Sequence, residues 1–137
     1  MNNKQVFAVL LIIVVSAAIF LVWNHLEYSS ATKHETDRWI VIQDVDGNLL
    51  SVETTSDEVW TQLLQLNANG TLMWVGGVVQ RYDNKWGFRF KSETIIIAQF
   101  TIVGAQATIR FISDDIDYWL NFGIAYVASI VVETHET

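Results

Sequence analysis

The chain has no cysteine and no proline, and its 8 lysines and arginines are outnumbered by 15 aspartates and glutamates. Without cysteine there is no disulfide staple, no thiolate nucleophile and no Cys-ligated zinc or iron–sulfur centre. The redox compartment stays open, because a domain of roughly a hundred residues can hold together without disulfides. A net charge of -7 argues against nucleic acid as a partner, since phosphate binding calls for a basic surface or stripe. The absence of proline is unusual for a loop-containing exported domain, and nothing in the sequence accounts for it. Histidine is scarce too. His25 and His34 precede the expected domain and His135 follows its core, so a His-based acid–base or nucleophilic site lacks its central residue unless the ends fold back. No Walker loop, HExxH or GxSxG string occurs, which removes the commonest phosphate-binding, zinc-hydrolase and serine-hydrolase signatures.

What is present begins with an uncharged run, Val6 to Trp23, broken only by Ser16. At 1.5 Å per residue it is about 27 Å long, enough for a membrane-spanning helix if its flanks help. Trp23 and Tyr28 stand at its far end, where interfacial aromatics are favoured. Cleaved signals carry about 7–15 apolar residues, so this run reads as a retained signal anchor. The expected organisation is a cytoplasmic tail (1–5), a transmembrane helix (6–23), a polar juxtamembrane stalk (24–38) and an extracytoplasmic β domain (39–137). Lys4 alone precedes the span while Lys33 and Arg38 follow it, and orientation rests on the short N-terminal tail.

The domain is expected to be organised around Gly76–Lys91, GGVVQRYDNKWGFRFK. Trp86, Phe88 and Phe90 alternate with small or cationic residues, the pattern of a half-buried strand whose register a one-residue slip would ruin. Upstream, Trp39–Ile42 and Leu49–Thr54 flank Asp46-Gly47-Asn48 as a hairpin. The string Asp44-x-Asp46-Gly47-Asn48 tempts a calcium reading, but an EF-hand loop needs glycine sixth and glutamate twelfth; turn chemistry is the stronger reading. Thr55 and Glu58 have capping-box spacing before a helix carrying Val59, Trp60, Leu63, Leu64 and Leu66. Gly76-Gly77 suggests a bulge or a close backbone approach. Thr94–Val103 reads as a central strand, Ala105–Phe111 as an alternating one, Ser113–Leu120 as a capped helix and Ile124–Glu133 as the last strand, with a frayed tail after it. The sum is mostly β: an antiparallel sandwich or barrel-like domain with two short helices behind a single transmembrane helix.

Gly77, Tyr82, Asn84, Trp86, Phe88, Phe90, Ile102, Asp117-Tyr118-Trp119 and a final apolar strand with Glu133 follow one another along the chain. On these positions residues 77–133 resemble the small β-rich N-terminal domain of the calmodulin-binding protein family and its stand-alone prokaryotic relatives. Arg89 stands where the family has histidine, Lys91-Ser92 replaces Asp-Pro, Gln106 falls near an acidic position and Ile124-Ala125-Tyr126 replaces Cys-Pro-Trp. The resemblance implies a fold and no enzyme activity, and it attaches the calmodulin link to no residue here.

Half of all cations in the chain, Arg81, Lys85, Arg89 and Lys91, lie within eleven residues. With Tyr82 and Asn84 they form a candidate strip for an anionic partner, although a solvated strand face beside the domain's own acids is the commoner origin of such a pattern. Asp114, Asp115 and Asp117 are candidate calcium ligands, against the more usual role of acids as dipole complements in a helix's first turn. The expected function is that of a non-catalytic, membrane-anchored binding or assembly domain. It would need no cofactor and would serve as an accessory subunit of a larger membrane complex or surface assembly, with protein partners. The alternative is a small extracytoplasmic enzyme or calcium module using Asp114, Asp115, Asp117 and Arg89, with Asp83 as a further acid.

Overall fold

The computed structural model describes residues 2–31, 34–101 and 104–137, with the backbone alone for 20–31. The chain falls into two compact units, Met1–Lys33 and His34–Thr137.

The first unit is one helix, α1 (Asn3–Ala31). Asn2 and Gln5 open it with reciprocal hydrogen bonds of 3.0 and 2.9 Å between backbone N–H and side-chain oxygen, satisfying donors that a helix start leaves orphaned. Large apolar side chains are exposed from Val6 to Ile19. Among the described residues, however, no helix is long and apolar enough to cross a membrane. The described apolar stretch is about 21 Å long, short of a hydrocarbon core near 30 Å. The side chains of residues 20–23, the end of the expected span, lie outside the described residues, as do those of His25 and Tyr28. The expectation of a transmembrane signal anchor, and with it a single-pass membrane protein with an extracytoplasmic domain, is corrected accordingly.

The second unit begins at His34, so residues 34–38, expected in a stalk, belong to the β domain. Its strands are β1 (Arg38–Asp44), β2 (Leu49–Glu53), β3 (Met73–Arg81), β4 (Phe88–Phe90), β5 (Ile96–Ala98), β6 (Gln106–Ala107) and β7 (Ile124–Glu136). Helix α2 (Asp57–Asn69) follows β2, while α3 (Ile109–Asp114) and α4 (Ile116–Phe122) separate β6 from β7; a single 3-10 turn covers Ser92–Thr94. The sheet runs β2-β1-β7-β3-β4, with β5 on β3 and β6 parallel to β7. It curls until β2 and β4 come close, a nearly closed barrel. This corrects the expected architecture on two further counts. Among the described residues the β unit carries three α-helices rather than two, and the sheet is not wholly antiparallel.

The hub is β7, which pairs with β1 over Ser129–Glu136 and with β3 over Ile124–Ser129. The expected frayed tail is therefore ordered: Glu136 pairs with Arg38, and the Thr137 amide donates to the Asp37 carbonyl at 2.9 Å. Alternation puts Ile40, Ile42, Leu50, Val52, Val75, Val79, Ala125 and Val127 inside, where Phe88, Phe90, Trp119 and the α2 residues Trp60 and Leu63 complete the core. The α2 N-cap is Ser56, whose hydroxyl accepts from the Val59 amide, one residue after the expected Thr55.

Gly76-Gly77 makes no bulge: the β3–β7 register passes through it unbroken. It marks a close approach, because a Cβ on Gly76 would collide with the Ala125 carbonyl oxygen. Two expected strands are also corrected. Of Thr94–Val103 only Ile96–Ala98 is strand, and it is peripheral, while Ile102 and Val103 lie outside the described residues. Within Ala105–Phe111 the strand is Gln106–Ala107 alone. Thr108 then caps α3 by accepting from the Phe111 amide; the helix buries Ile109, which alternation had placed on the inward strand face, and exposes Phe111, which alternation had placed there too.

Candidate functional site

With Ile40 and Ile42 turned inward, Trp39 and Val41 face outward. The register sets Trp39 opposite Glu53 on β2 and opposite His135 on β7. An outward carboxylate on an edge strand is ordinarily solvated, yet Glu53 is only 7% exposed. Segment His34–Thr36 lies over it. One Glu53 oxygen accepts from His34 Nδ1 at 3.2 Å and from the Glu35 amide at 3.0 Å, and the other accepts from the Glu35 and Thr36 amides at 3.1 and 3.2 Å. A buried carboxylate is tolerable only when donors surround it in this way.

The two histidines that the sequence leaves at opposite ends of the domain meet here. His34 stacks on Trp39 with ring centroids 3.8 Å apart and planes 11° from parallel. His135 stacks on the same indole at 3.7 Å and 13°. Two near-parallel rings at that distance from one indole must lie on its opposite faces. His135 Nε2 also sits 3.1 Å from Glu133 Oε2. Burial lowers the His34 pKa below its ordinary value, against the opposing pull of Glu53, and the neighbouring His135 adds to the lowering.

Arg89 completes the face. It donates from Nη2 to Glu35 at 2.9 Å and from Nε to Gln80 at 3.0 Å, and its guanidinium lies 4.2 Å from the Tyr82 ring centroid. Burial raises the Tyr82 phenol above its usual pKa; Glu53, Glu35 and Asp83 push the same way and Arg89 opposes them.

The cluster has the residue types of a nucleophile relay but not the geometry. Ser51 Oγ lies 3.4 Å from His34 Nδ1, the nitrogen that also faces Glu53. A relay needs the hydroxyl on one imidazole nitrogen and the acid on the other. Among the described residues the second nitrogen, Nε2, is buried with no hydrogen-bond partner. The arrangement clamps a segment of backbone and moves no proton between Ser51 and Glu53.

Of the cationic strip, the structure stacks Arg89 on Tyr82. Asn84 organises the turn before β4: its Oδ1 accepts from the Trp86 and Gly87 amides and its Nδ2 donates to the Phe88 carbonyl. Lys85 lies over the Trp86 ring at 5.0 Å. Lys91 follows β4, and its carbonyl accepts from the Thr94 hydroxyl at 2.8 Å. The acidic candidates do not converge. Asp115 caps α4 through the Tyr118 amide, Asp117 pairs with Arg81, and Asp114 ends α3. Among the described residues no group of three or more His, Asp or Glu could hold a metal ion.

Asp44 was legible only as a turn residue. It is buried, and one oxygen accepts from the Asp46 and Asn48 amides while the other accepts from the Ile109 amide at 3.0 Å, tying the hairpin turn to the start of α3. Beside it lies an open apolar groove of about 420 Å³, lined by Val45, Trp74, Ala107, Phe111 and Ala128. A polar groove of about 470 Å³ runs past Glu35, Asp37, Arg38, Thr55 and Glu136.

No protein-family model, curated protein or solved structure matches this chain.

Proposed function

We propose that this chain is a non-catalytic binding domain that assembles with another protein chain. The observation that carries the reading is the run of exposed apolar side chains on α1 from Val6 to Ile19, Phe7, Ile12 and Val14 among them. A helix apolar on every side belongs inside a packed assembly, because water does not tolerate so much continuous apolar surface. The β unit adds apolar surface of its own at Phe100 and Phe111, 86% and 60% exposed. Three of its arginines, by contrast, are engaged with carboxylates: Arg38 with Asp57 and Glu136, Arg81 with Asp117, Arg89 with Glu35. Charges paired in this way hold a scaffold together and are not poised for chemistry.

The test is the mass of the full chain prepared without detergent, by light scattering after gel filtration. The reading expects a complex, with itself or with a co-purifying protein, that dissociates when Phe7, Ile12 and Val14 are all replaced by serine. A monodisperse species of 15.6 kDa for the unaltered chain would overturn it.

A further inference from the structure

Segment His34–Thr36 is held on the Trp39 face by the Glu53 carboxylate, the His34 imidazole, the Arg89–Glu35 pair and the Thr36 hydroxyl, which donates to the Arg38 carbonyl; of these the imidazole can exist there comfortably in only one protonation state. Neutral His34 with its proton on Nδ1 donates to Glu53 and stacks on Trp39. A second proton would go to Nε2, which is buried and has no hydrogen-bond partner among the described residues; a buried donor without a partner is costly. Every element around it bears on the balance. Glu53 on β2 favours the imidazolium, Ser51 beside it is neutral, and Glu35 on the segment itself is already paired to Arg89 of β4. From β7, His135 lies across the indole, about 7–8 Å from His34, close enough for two imidazolium charges to repel, with Glu133 against its far nitrogen. Tyr82, at the end of β3, is neutral at these pH values and stacks under Arg89.

We propose that residues 34–36 form an acid-released latch over the Trp39 face of the sheet, closed while His34 is neutral and opened when it becomes doubly protonated. Release uncovers Glu53, Ser51 and one face of Trp39, and frees the backbone amides of Glu35 and Thr36. The direction follows from proton linkage. The closed state resists the proton and the open state accepts it near the ordinary His value of 6.5. Closure is therefore at full strength above that value and weakens as pH falls through it toward the depressed value of the closed state.

Amide hydrogen exchange on the full chain tests this, with rates corrected for the intrinsic effect of pH. Protection of the Glu35 and Thr36 amides should fall roughly tenfold or more between pH 8 and pH 5, the span across which an ordinary imidazole in the open state gains its proton. The Val78 amide, which donates to Thr94 Oγ1, should hold its protection. In His34→Gln, whose amide can still donate to Glu53 but cannot titrate, the pH dependence should vanish. Unchanged Glu35 and Thr36 protection in the unaltered chain, or an equal loss in His34→Gln, overturns the latch. Should the variant fail to fold, the NMR titration of His34 in the unaltered chain decides alone: a midpoint below 6.5 supports the proposal and one at or above it sinks it.

Discussion

Trp86 closes the barrel: its indole Nε1 donates to the Leu49 carbonyl at 2.7 Å, across the one place where the curled sheet has no strand ladder, between β4 and β2. The ring itself is buried in the core, so one side chain both fills the seam and bonds across it.

Trp86→Phe keeps most of the buried ring and removes the bond. The loss expected is about 1–2 kcal/mol, the usual worth of a hydrogen bond whose abandoned acceptor is only partly buried. Trp86→Ala adds a cavity and should cost about 3–5 kcal/mol. Urea denaturation of the two variants side by side separates the terms, and a Trp86→Phe variant as stable as the unaltered chain would mean that the bond contributes nothing.

Asp44 is a second stitch, and its test is charge against shape. Asp44→Asn preserves the volume but turns one of its two acceptor oxygens into a donor, so either the hairpin amides or the Ile109 amide loses its partner. About 1–3 kcal/mol of stability should be lost, with exchange quickening at the start of α3 or in the β1–β2 turn. A neutral substitution would show that the helix start does not depend on this carboxylate.

Two glycines should respond to alanine by very different amounts. At Gly76 the new methyl meets the Ala125 carbonyl, and Tyr126 Cδ1 at 2.8 Å, and neither can move without breaking the β3–β7 ladder. The expected loss is about 3 kcal/mol or more, at or beyond the upper end of overpacking costs. At Gly70 the methyl meets open space, but φ is +62°, so only the left-handed backbone penalty of about 1 kcal/mol applies. Thermal melts of both variants check the ranking.

Glu53→Gln examines the clamp directly. The amide retains one acceptor oxygen where the carboxylate offered two to His34, Glu35 and Thr36. The prediction is a loss of about 1–3 kcal/mol, with faster exchange at the Glu35 and Thr36 amides than anywhere else in the β unit. Loss spread evenly over the domain would refute the local role.

What could be read beforehand was whatever local pattern controls. Asp46-Gly47-Asn48 announced the first hairpin, and Trp86, Phe88 and Phe90 do face the core. The residues after Thr94 misled because apolar content was read as burial. Phe100 is among the most exposed side chains, and Ile109 and Ile112 are buried through a helix whose cap, Thr108, looked like one more alternating strand position. The clamp was hidden for a different reason. Hairpin register could have set Glu53 opposite Trp39, but His34 and His135 stand about a hundred residues apart. No local signal tells two polar residues at the ends of a domain that a strand pairing will bring them to one indole.

The position of β7 bears on how the domain comes into being. Its partners β1 and β3 lie roughly ninety and fifty residues upstream; each can pair with its own near neighbours, β2 or β4 and β5, but nothing joins the two halves until this strand is available. The contacts that unite the sheet are the long-range ones, so the domain should fold slowly for its size, on the scale of milliseconds to seconds. Until then the half-made sheet offers bare strand edges to any neighbouring polypeptide, the condition in which chaperones matter most.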